Sequence, residues 1–166
     1  VSQKEIFKDE IANLSFSSDC SSIIAISRGS QNIKSFDKNV ILIDNWVNTD
    51  SKMGVVEFAI AFPDKCIALL SRTSVLNSSK NEYFIFILSP NKEILKKQKI
   101  DTDGTYPLGF SCNSDKEYFI VQVNDPTKIS KFAIWNTINS TVTLSETFPS
   151  NSSMLSNIKA ILGWKK

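Results

Sequence analysis

Histidine is absent from the 166-residue sequence, and its absence excludes several common kinds of active site. Without an imidazole there is no Ser-His-Asp triad or Cys-His pair to activate a nucleophile, and no histidine ligand for zinc or iron. Asp101-Thr102-Asp103-Gly104 begins like a calcium-binding loop, but no later carboxylate follows at the required spacing. We interpret this segment as a turn, and the sequence predicts no catalytic site, cofactor or metal site.

Cysteine is scarce, and its positions indicate neither a disulfide framework nor a zinc site. Cys20, Cys66 and Cys112 cannot all pair with one another, and no two of them have the close spacing that is typical of zinc ligands. Unpaired cysteines are typical of reducing compartments. We therefore expect an intracellular protein of the cytoplasm or nucleus.

Neither charge nor hydrophobicity indicates a nucleic-acid or membrane partner. The net charge of +2 is small, whereas electrostatic binding to phosphates requires a clustered basic surface. The longest apolar runs, such as Tyr83–Leu88, have the length of one strand and fall far short of the ~20 residues that cross a bilayer. The sequence predicts no transmembrane helix and no membrane partner.

What the sequence does contain is a succession of short strand patterns separated by polar turns. Four strand candidates lie between Tyr106 and Phe148, and two similar sets precede them. Four strands in about 40–45 residues is the size of one β-propeller blade. The pattern predicts blades over residues 10–47, 55–100 and 106–148, with partial strands at 1–9 and 156–164.

Aromatic residues are predicted to mark the repeat. Phe16, Phe62, Phe110 and Trp164 each close a predicted first strand, at spacings of 46, 48 and 54 residues. These spacings are close to the period of a propeller blade. The cysteines lie at or next to the turns that follow the first three aromatics, and the three tryptophans are interpreted as packing residues inside the blades.

Two predicted third strands carry a recognisable ending. Asn32–Asp37 and Lys131–Asn136 both resemble the end of the third strand in WD40 repeats, where an aromatic residue is followed by Asp or Asn. The turn Phe62-Pro63-Asp64-Lys65 resembles that family's hairpin between the first and second strands. The resemblance covers about Glu10–Phe148, although the family's Gly-His pair and buried His–Asp network are missing.

The resemblance implies an all-β fold, a WD40-like β-propeller segment of about three four-stranded blades plus flanking strands. Ring closure takes about four to eight blades, so three blades cannot close a ring. We therefore expect the sequence to be part of a longer chain, with the missing blades supplied by residues outside it or by another chain. A β-sandwich is the alternative fold, and the order of the strands distinguishes the two.

A repeat without catalytic chemistry predicts a non-catalytic scaffold or adaptor that presents propeller loops and rims to other protein subunits of a large intracellular complex. The alternative is a propeller subunit of a ribonucleoprotein assembly in which Lys96, Lys97 and Lys99 contact RNA. Lysines on an outer strand are also the expected protection of a sheet edge against pairing with another chain. A propeller enzyme using carboxylates such as Glu10 and Glu57 is a less favoured third alternative.

One predicted loop is a further candidate for partner contact. The polar segment Arg72–Asn81 is ten residues long and contains Asn77. Because binding residues concentrate on surface loops, we predict that Arg72 and Asn77 contact a partner.

Overall fold

A computed structural model of the chain describes residues 10–17, 19–27, 31–75, 80–102, 105–113, 115–124 and 130–144. The predicted partial strands at 1–9 and 156–164, together with Asn77 and Trp164, lie outside the described residues. The described part forms twelve strands: β1 Ile11–Phe16, β2 Ser22–Ser27, β3 Asn32–Asp37, β4 Leu42–Val47, β5 Val55–Ala61, β6 Ile67–Ser74, β7 Asn81–Leu88, β8 Ile94–Ile100, β9 Pro107–Cys112, β10 Tyr118–Asn124, β11 Ser130–Asn136 and β12 Thr141–Leu144.

The strands form three four-stranded antiparallel sheets in which every strand pairs with the next strand in sequence. The first sheet has the order β1-β2-β3-β4, the second β5-β6-β7-β8 and the third β9-β10-β11-β12. A sandwich places successive strands in different sheets, so the β-sandwich alternative is wrong. The prediction of an all-β fold built from four-stranded blades is confirmed. The described residues include no helix long and apolar enough to pass through a membrane.

The chain divides into two compact units, Val1–Ile100 and Asp101–Lys166. In the first unit, the first and second sheets pack face to face around a shared core, and Trp46 packs at the border of that core. Its fully buried residues include Ile24, Ile26, Leu69 and Phe86. This is the ordinary outcome for sheets with an apolar face, which must be covered by another layer.

The second unit contains the third sheet, which buries side chains on both of its faces. Ile120 and Ile134 lie opposite each other on one face. On the other face the rings of Phe119 and Trp135 have centroids 5.5 Å apart, and Trp135 is 2% exposed. The interpretation of Trp46 and Trp135 as packing residues is therefore confirmed.

Five hairpin turns share one backbone geometry that uses no glycine. In each turn the N–H of the fourth residue donates to the carbonyl oxygen of the first, as from Lys65 to Phe62 at 2.9 Å. The fourth residue then takes a positive φ, the usual form of a type I turn closed by a bulge. The residues with positive φ at this position are Cys20, Val40, Lys65, Lys92 and Lys116.

The WD40-like strand endings have a clear structural role. The aromatic residues of Phe36-Asp37 and Trp135-Asn136 are buried, while the polar residue of each pair caps the following turn. The Asp37 carboxylate accepts from the N–H of Ile41 at 2.8 Å, and Asn136 caps its own turn in a similar way. In the second sheet Leu88-Ser89 occupies the equivalent position. Leu88 is buried, and the Ser89 hydroxyl caps the following turn by accepting from the N–H of Glu93.

The aromatic landmark used to align the repeats is wrong. Phe16 ends β1, Phe62 begins the turn after β5, and Phe110 lies inside β9. Their surroundings also differ, since Phe16 is 62% exposed and Phe62 only 4%. The repeat is carried by backbone geometry instead, in the positive-φ turn residues at spacings of 45 and 51 residues: Cys20, Lys65 and Lys116.

Candidate interaction surfaces

One face of the first sheet carries a row of apolar side chains, several of which are exposed. Cross-strand pairing aligns Phe16, Ile23, Phe36 and Leu42 across the four strands, and Leu14 lies two residues before Phe16 on the same side. Leu14, Phe16 and Leu42 are 55%, 62% and 50% exposed, whereas Phe36, between Ile23 and Leu42, is buried. We call these five residues the open face. Exposed apolar side chains grouped on one face are typical of interaction sites.

The opposite face of the first sheet is covered by the second sheet. The hydroxyl of Ser15, which points away from the open face, donates to the carbonyl oxygen of Ala59. The N–H of Val56 donates to Oε1 of Gln31 at 2.6 Å. A neighbouring four-stranded sheet is therefore the structure that already covers the apolar residues on this side of the first sheet.

The three predicted contact lysines lie on the outer strand β8, but they do not form one patch. Lys97 and Lys99 lie on one side of the strand and Lys96 on the other. The Lys97 ammonium is 4.3 Å from the centroid of the Phe84 ring, and Lys99 forms an ion pair with Glu82. These contacts match the expected protection of an outer strand, and the role of the lysines in RNA contact stays a prediction.

Arg72 belongs to a strand, so the predicted loop Arg72–Asn81 is wrong. β6 continues to Ser74 and β7 begins at Asn81, with Arg72 opposite Tyr83. The Arg72 guanidinium donates to the Glu57 carboxylate at 2.8 Å, which holds both side chains on the sheet. The strand is longer than predicted because these pairings across three strands outweigh the polar composition of the segment. Contact of Arg72 with a partner stays a prediction.

Burial sets the protonation of two groups in these sheets. Burial raises the pKa of the Tyr83 hydroxyl above its usual value, with Glu57 acting in the same direction and Arg72 against it. Burial also raises the pKa of the Cys112 thiol to about 12, opposed by Lys116. A thiol with this pKa is protonated at neutral pH and is a poor nucleophile. Throughout the described ranges, no three His, Cys, Asp or Glu side chains come together as a metal site.

A cleft of about 410 Å³ lies between the first and second sheets, at the end where the turns β1–β2, β5–β6 and β7–β8 meet. The second sheet contributes two prolines and two lysines from its turns, and the first sheet contributes hydroxyls, Ile43 and Asp44. The Lys92 ammonium is 2.5 Å from the Asp44 carboxylate, so an ion pair joins the two sheets across the cleft. We call this site the inter-sheet cleft.

The inter-sheet cleft cannot be read from the sequence, because its residues are far apart in the chain. Asp44 and Lys92 are separated by 48 residues, and neither stands out in the sequence. Only the wall formed by the second sheet has a recognisable sequence pattern. Its turns Phe62-Pro63-Asp64-Lys65 and Ser89-Pro90-Asn91-Lys92 share Pro at the second position and Lys at the fourth.

Solved structures of WD40 proteins have the same fold over most of this chain. The WD40 repeats of RRP9 match it with a TM-score of 0.54 at 16% identity, over 89% of this chain and 41% of that one. Hsv2 of K. marxianus matches with a TM-score of 0.56 at 10% identity, over 85% of this chain and 40% of that one. The chain has the fold of WD40 propeller blades. U3-55K gives a TM-score of 0.53 at 15% identity, over 87% of this chain and 40% of that one.

The WD40 blades described here span about two fifths of the length of these solved structures. The sequence matches no protein-family model and no curated protein. At 10–16% identity, the similarity defines the fold alone.

Proposed function

We propose that this chain is the non-catalytic part of a WD40-like scaffold or adaptor that binds other protein subunits in a large intracellular complex. The observation that carries the proposal is the open face, where Leu14, Phe16 and Leu42 are all at least half exposed. Burying large apolar side chains contributes about 1.5–3 kcal/mol each, so a partner that covers this face gains substantial binding energy.

We further propose that the occupant of the open face is a four-stranded sheet that another chain supplies to the same propeller. The second sheet supports this choice, because it covers the other side of the first sheet through Val56 and Ala59. The three proposed blades, over residues 10–47, 55–100 and 106–148, are too few to close a ring. The remaining missing sheets come from residues outside this sequence or from another chain.

Free thiols support an intracellular location for the scaffold, in the cytoplasm or nucleus. Cys20 is exposed, and neither Cys20 nor Cys112 forms a disulfide. An exposed unpaired thiol is best maintained in a reducing compartment.

The proposed contact residues on the rims are Arg72, Asn77, Lys96, Lys97 and Lys99. A role for these lysines in RNA binding is the weaker proposal, because Lys97 and Lys99 already engage Phe84 and Glu82 within the sheet.

The test is a matched pair of substitutions in the tagged chain, Leu14→Glu on the open face and Leu95→Glu on β8. The two leucines are 55% and 56% exposed, so both variants introduce the same charge at the same degree of exposure. Size-exclusion chromatography with light scattering reports self-association of the purified chain, and purification from the native source reports its companion subunits.

We expect Leu14→Glu to reduce self-association and to release companion subunits, while Leu95→Glu behaves like the unchanged chain. The proposal would be contradicted if the unchanged chain is monomeric and neither variant loses a companion subunit.

A further inference from the structure

The inter-sheet cleft is formed on one side by two copies of the same turn. Phe62-Pro63-Asp64-Lys65 and Ser89-Pro90-Asn91-Lys92 both place Pro at the second position and a lysine with positive φ at the fourth, with φ of 63° and 68°. Both turns lie at the same end of the second sheet, because each follows an odd-numbered strand in an up-and-down arrangement. Both prolines and both lysines therefore line the cleft.

The two lysines differ in what they contact. The Lys92 side chain is 18% exposed and forms an ion pair with Asp44 on the opposite wall. The Lys65 side chain is exposed, and the described residues give its ammonium neither a hydrogen bond nor an ion pair. Asp44 thus pairs with one of the two cations, and among the described residues no carboxylate forms an ion pair with the other.

The remaining surface of the cleft is apolar or carries hydroxyls. Ile43, which occupies a bulge in β4, is 56% exposed, and Pro63 and Pro90 are exposed beside it. Ser22 supplies a hydroxyl group from the first sheet, whereas the Ser21 hydroxyl already donates to the Asp19 carboxylate at 2.8 Å. Apolar walls with a few directed polar groups are typical of ligand sites, and about 410 Å³ lies within their usual size range.

We infer that the inter-sheet cleft binds an acidic segment of a partner protein. A carboxylate of that segment pairs with the Lys65 ammonium and accepts from a serine hydroxyl, and an apolar residue beside it packs on Ile43, Pro63 and Pro90. The inference rests on the proposed function, because it assigns one binding site to a scaffold that recognises proteins.

The charges and shape of the cleft favour an acidic peptide over a nucleic acid. Lys65, Lys92 and Asp44 together carry a net charge of one positive unit, whereas nucleic-acid binding requires several cations along the phosphate backbone. Stacking of bases requires an exposed aromatic ring, but Phe62, the aromatic residue that lines the cleft, is 4% exposed. The exposed apolar residues instead match an aliphatic side chain.

The binding experiment uses the full chain and a fluorescein-labelled peptide of alternating leucine and glutamate. A peptide with glutamine in place of glutamate removes the charge at nearly constant shape, and free succinate tests whether a carboxylate alone is sufficient. Lys65→Glu reverses the charge in the cleft. Lys52→Glu is the matched control, because Lys52 is exposed and does not line the cleft.

We expect saturable binding of the glutamate peptide, weakened by at least about tenfold in the glutamine peptide and in Lys65→Glu. Lys52→Glu should leave the affinity within about twofold, since a distant exposed charge is screened by salt. Absence of saturable binding, equal binding of the glutamine peptide, or equal loss in both variants would overturn the inference. Succinate that competes as well as the peptide would assign the cleft to a small carboxylate and also overturn it.

Two measurements, the loss of companion subunits and the binding of the peptide, test the proposed function and this inference separately. If companions are lost with Leu14→Glu but the peptide does not bind, the scaffold stands and the cleft assignment fails. If the peptide binds but no companion depends on the open face, the cleft is a peptide site and the proposed use of the open face fails.

Discussion

The first and second sheets have the same strand order, yet they use their faces and outer strands differently. The second sheet buries residues on both faces, with Leu69 on one and Leu70 on the other, each fully inaccessible to solvent. The first sheet also buries Ala25 and Phe36 on its second face, but the same face leaves Leu14 and Phe16 exposed. The same backbone unit can therefore be a closed layer or a partly exposed surface, and the difference lies in what packs against it.

The outer strands of the two sheets, β4 and β8, differ in how apolar and how charged they are. Both contain a bulge, at Ile43 in β4 and at Leu95 in β8, which interrupts regular pairing at the edge. The residues 40–43, which include the start of β4, are Val-Ile-Leu-Ile and all are exposed, whereas β8 carries three lysines. β8 has several charges that discourage pairing with another chain, and β4 has only Asp44.

The largest expected effect is a difference in stability loss between alanine substitutions of two phenylalanines, one in each of these sheets. Phe86→Ala in the second sheet should lower the free energy of unfolding by about 3–5 kcal/mol, because it leaves a cavity in the shared core. Phe16→Ala should cost less than about 1 kcal/mol, because the Phe16 ring is 62% exposed. Urea unfolding of the purified chain measures both, and similar losses would show that the open face is covered in solution.

A second prediction concerns strain next to the apolar outer strand. Val40 has a φ of 61°, which is unfavourable for a β-branched side chain. Val40→Gly should raise the free energy of unfolding by about 1 kcal/mol, since glycine adopts positive φ without a steric penalty. Ile41→Gly is the control in the adjacent exposed residue, where glycine should destabilise by about 0.5–1 kcal/mol. A destabilised Val40→Gly would contradict the prediction.

A third prediction uses the buried hydroxyl of the second sheet. Because the folded pKa of Tyr83 is raised, the folded state holds this proton more tightly than the unfolded state does. Its contribution to stability is complete below the unfolded pKa of about 10 and is lost as pH rises through the higher folded pKa. As pH rises, the free energy of unfolding should therefore fall less steeply for Tyr83→Phe than for the unchanged chain. Equal slopes would show that the pKa of Tyr83 is the same in the folded and unfolded states.

The smallest expected effect concerns the lysines of β8. Lys97→Gln should lower the free energy of unfolding by about 0.5 kcal/mol, because its ammonium lies 4.3 Å from the Phe84 ring centroid. Lys52→Gln, at an exposed lysine outside β8, serves as the control for loss of a surface charge. If both substitutions have the same effect, the contact with the ring contributes nothing beyond general charge.

Much of the local structure could be predicted from the sequence. The strand patterns and turn residues located all twelve strands, because strand alternation and turn chemistry act over a few residues. The caps at Asp37 and Asn136 also follow from local hydrogen bonds. The extension of β6 through Arg72 to Ser74 could not be predicted, because the ion pair of Arg72 with Glu57 and its pairing with Tyr83 depend on neighbouring strands.

By itself the sequence determined the alternation of strands and turns and the repeat of four strands, since these depend on residue type at short range. Only the tertiary structure decided which apolar face is covered, because Phe16 and Phe86 have the same chemistry and differ only in their neighbours. It also decided where Lys92 and Asp44 meet, because packing one sheet on another brings together residues 48 positions apart.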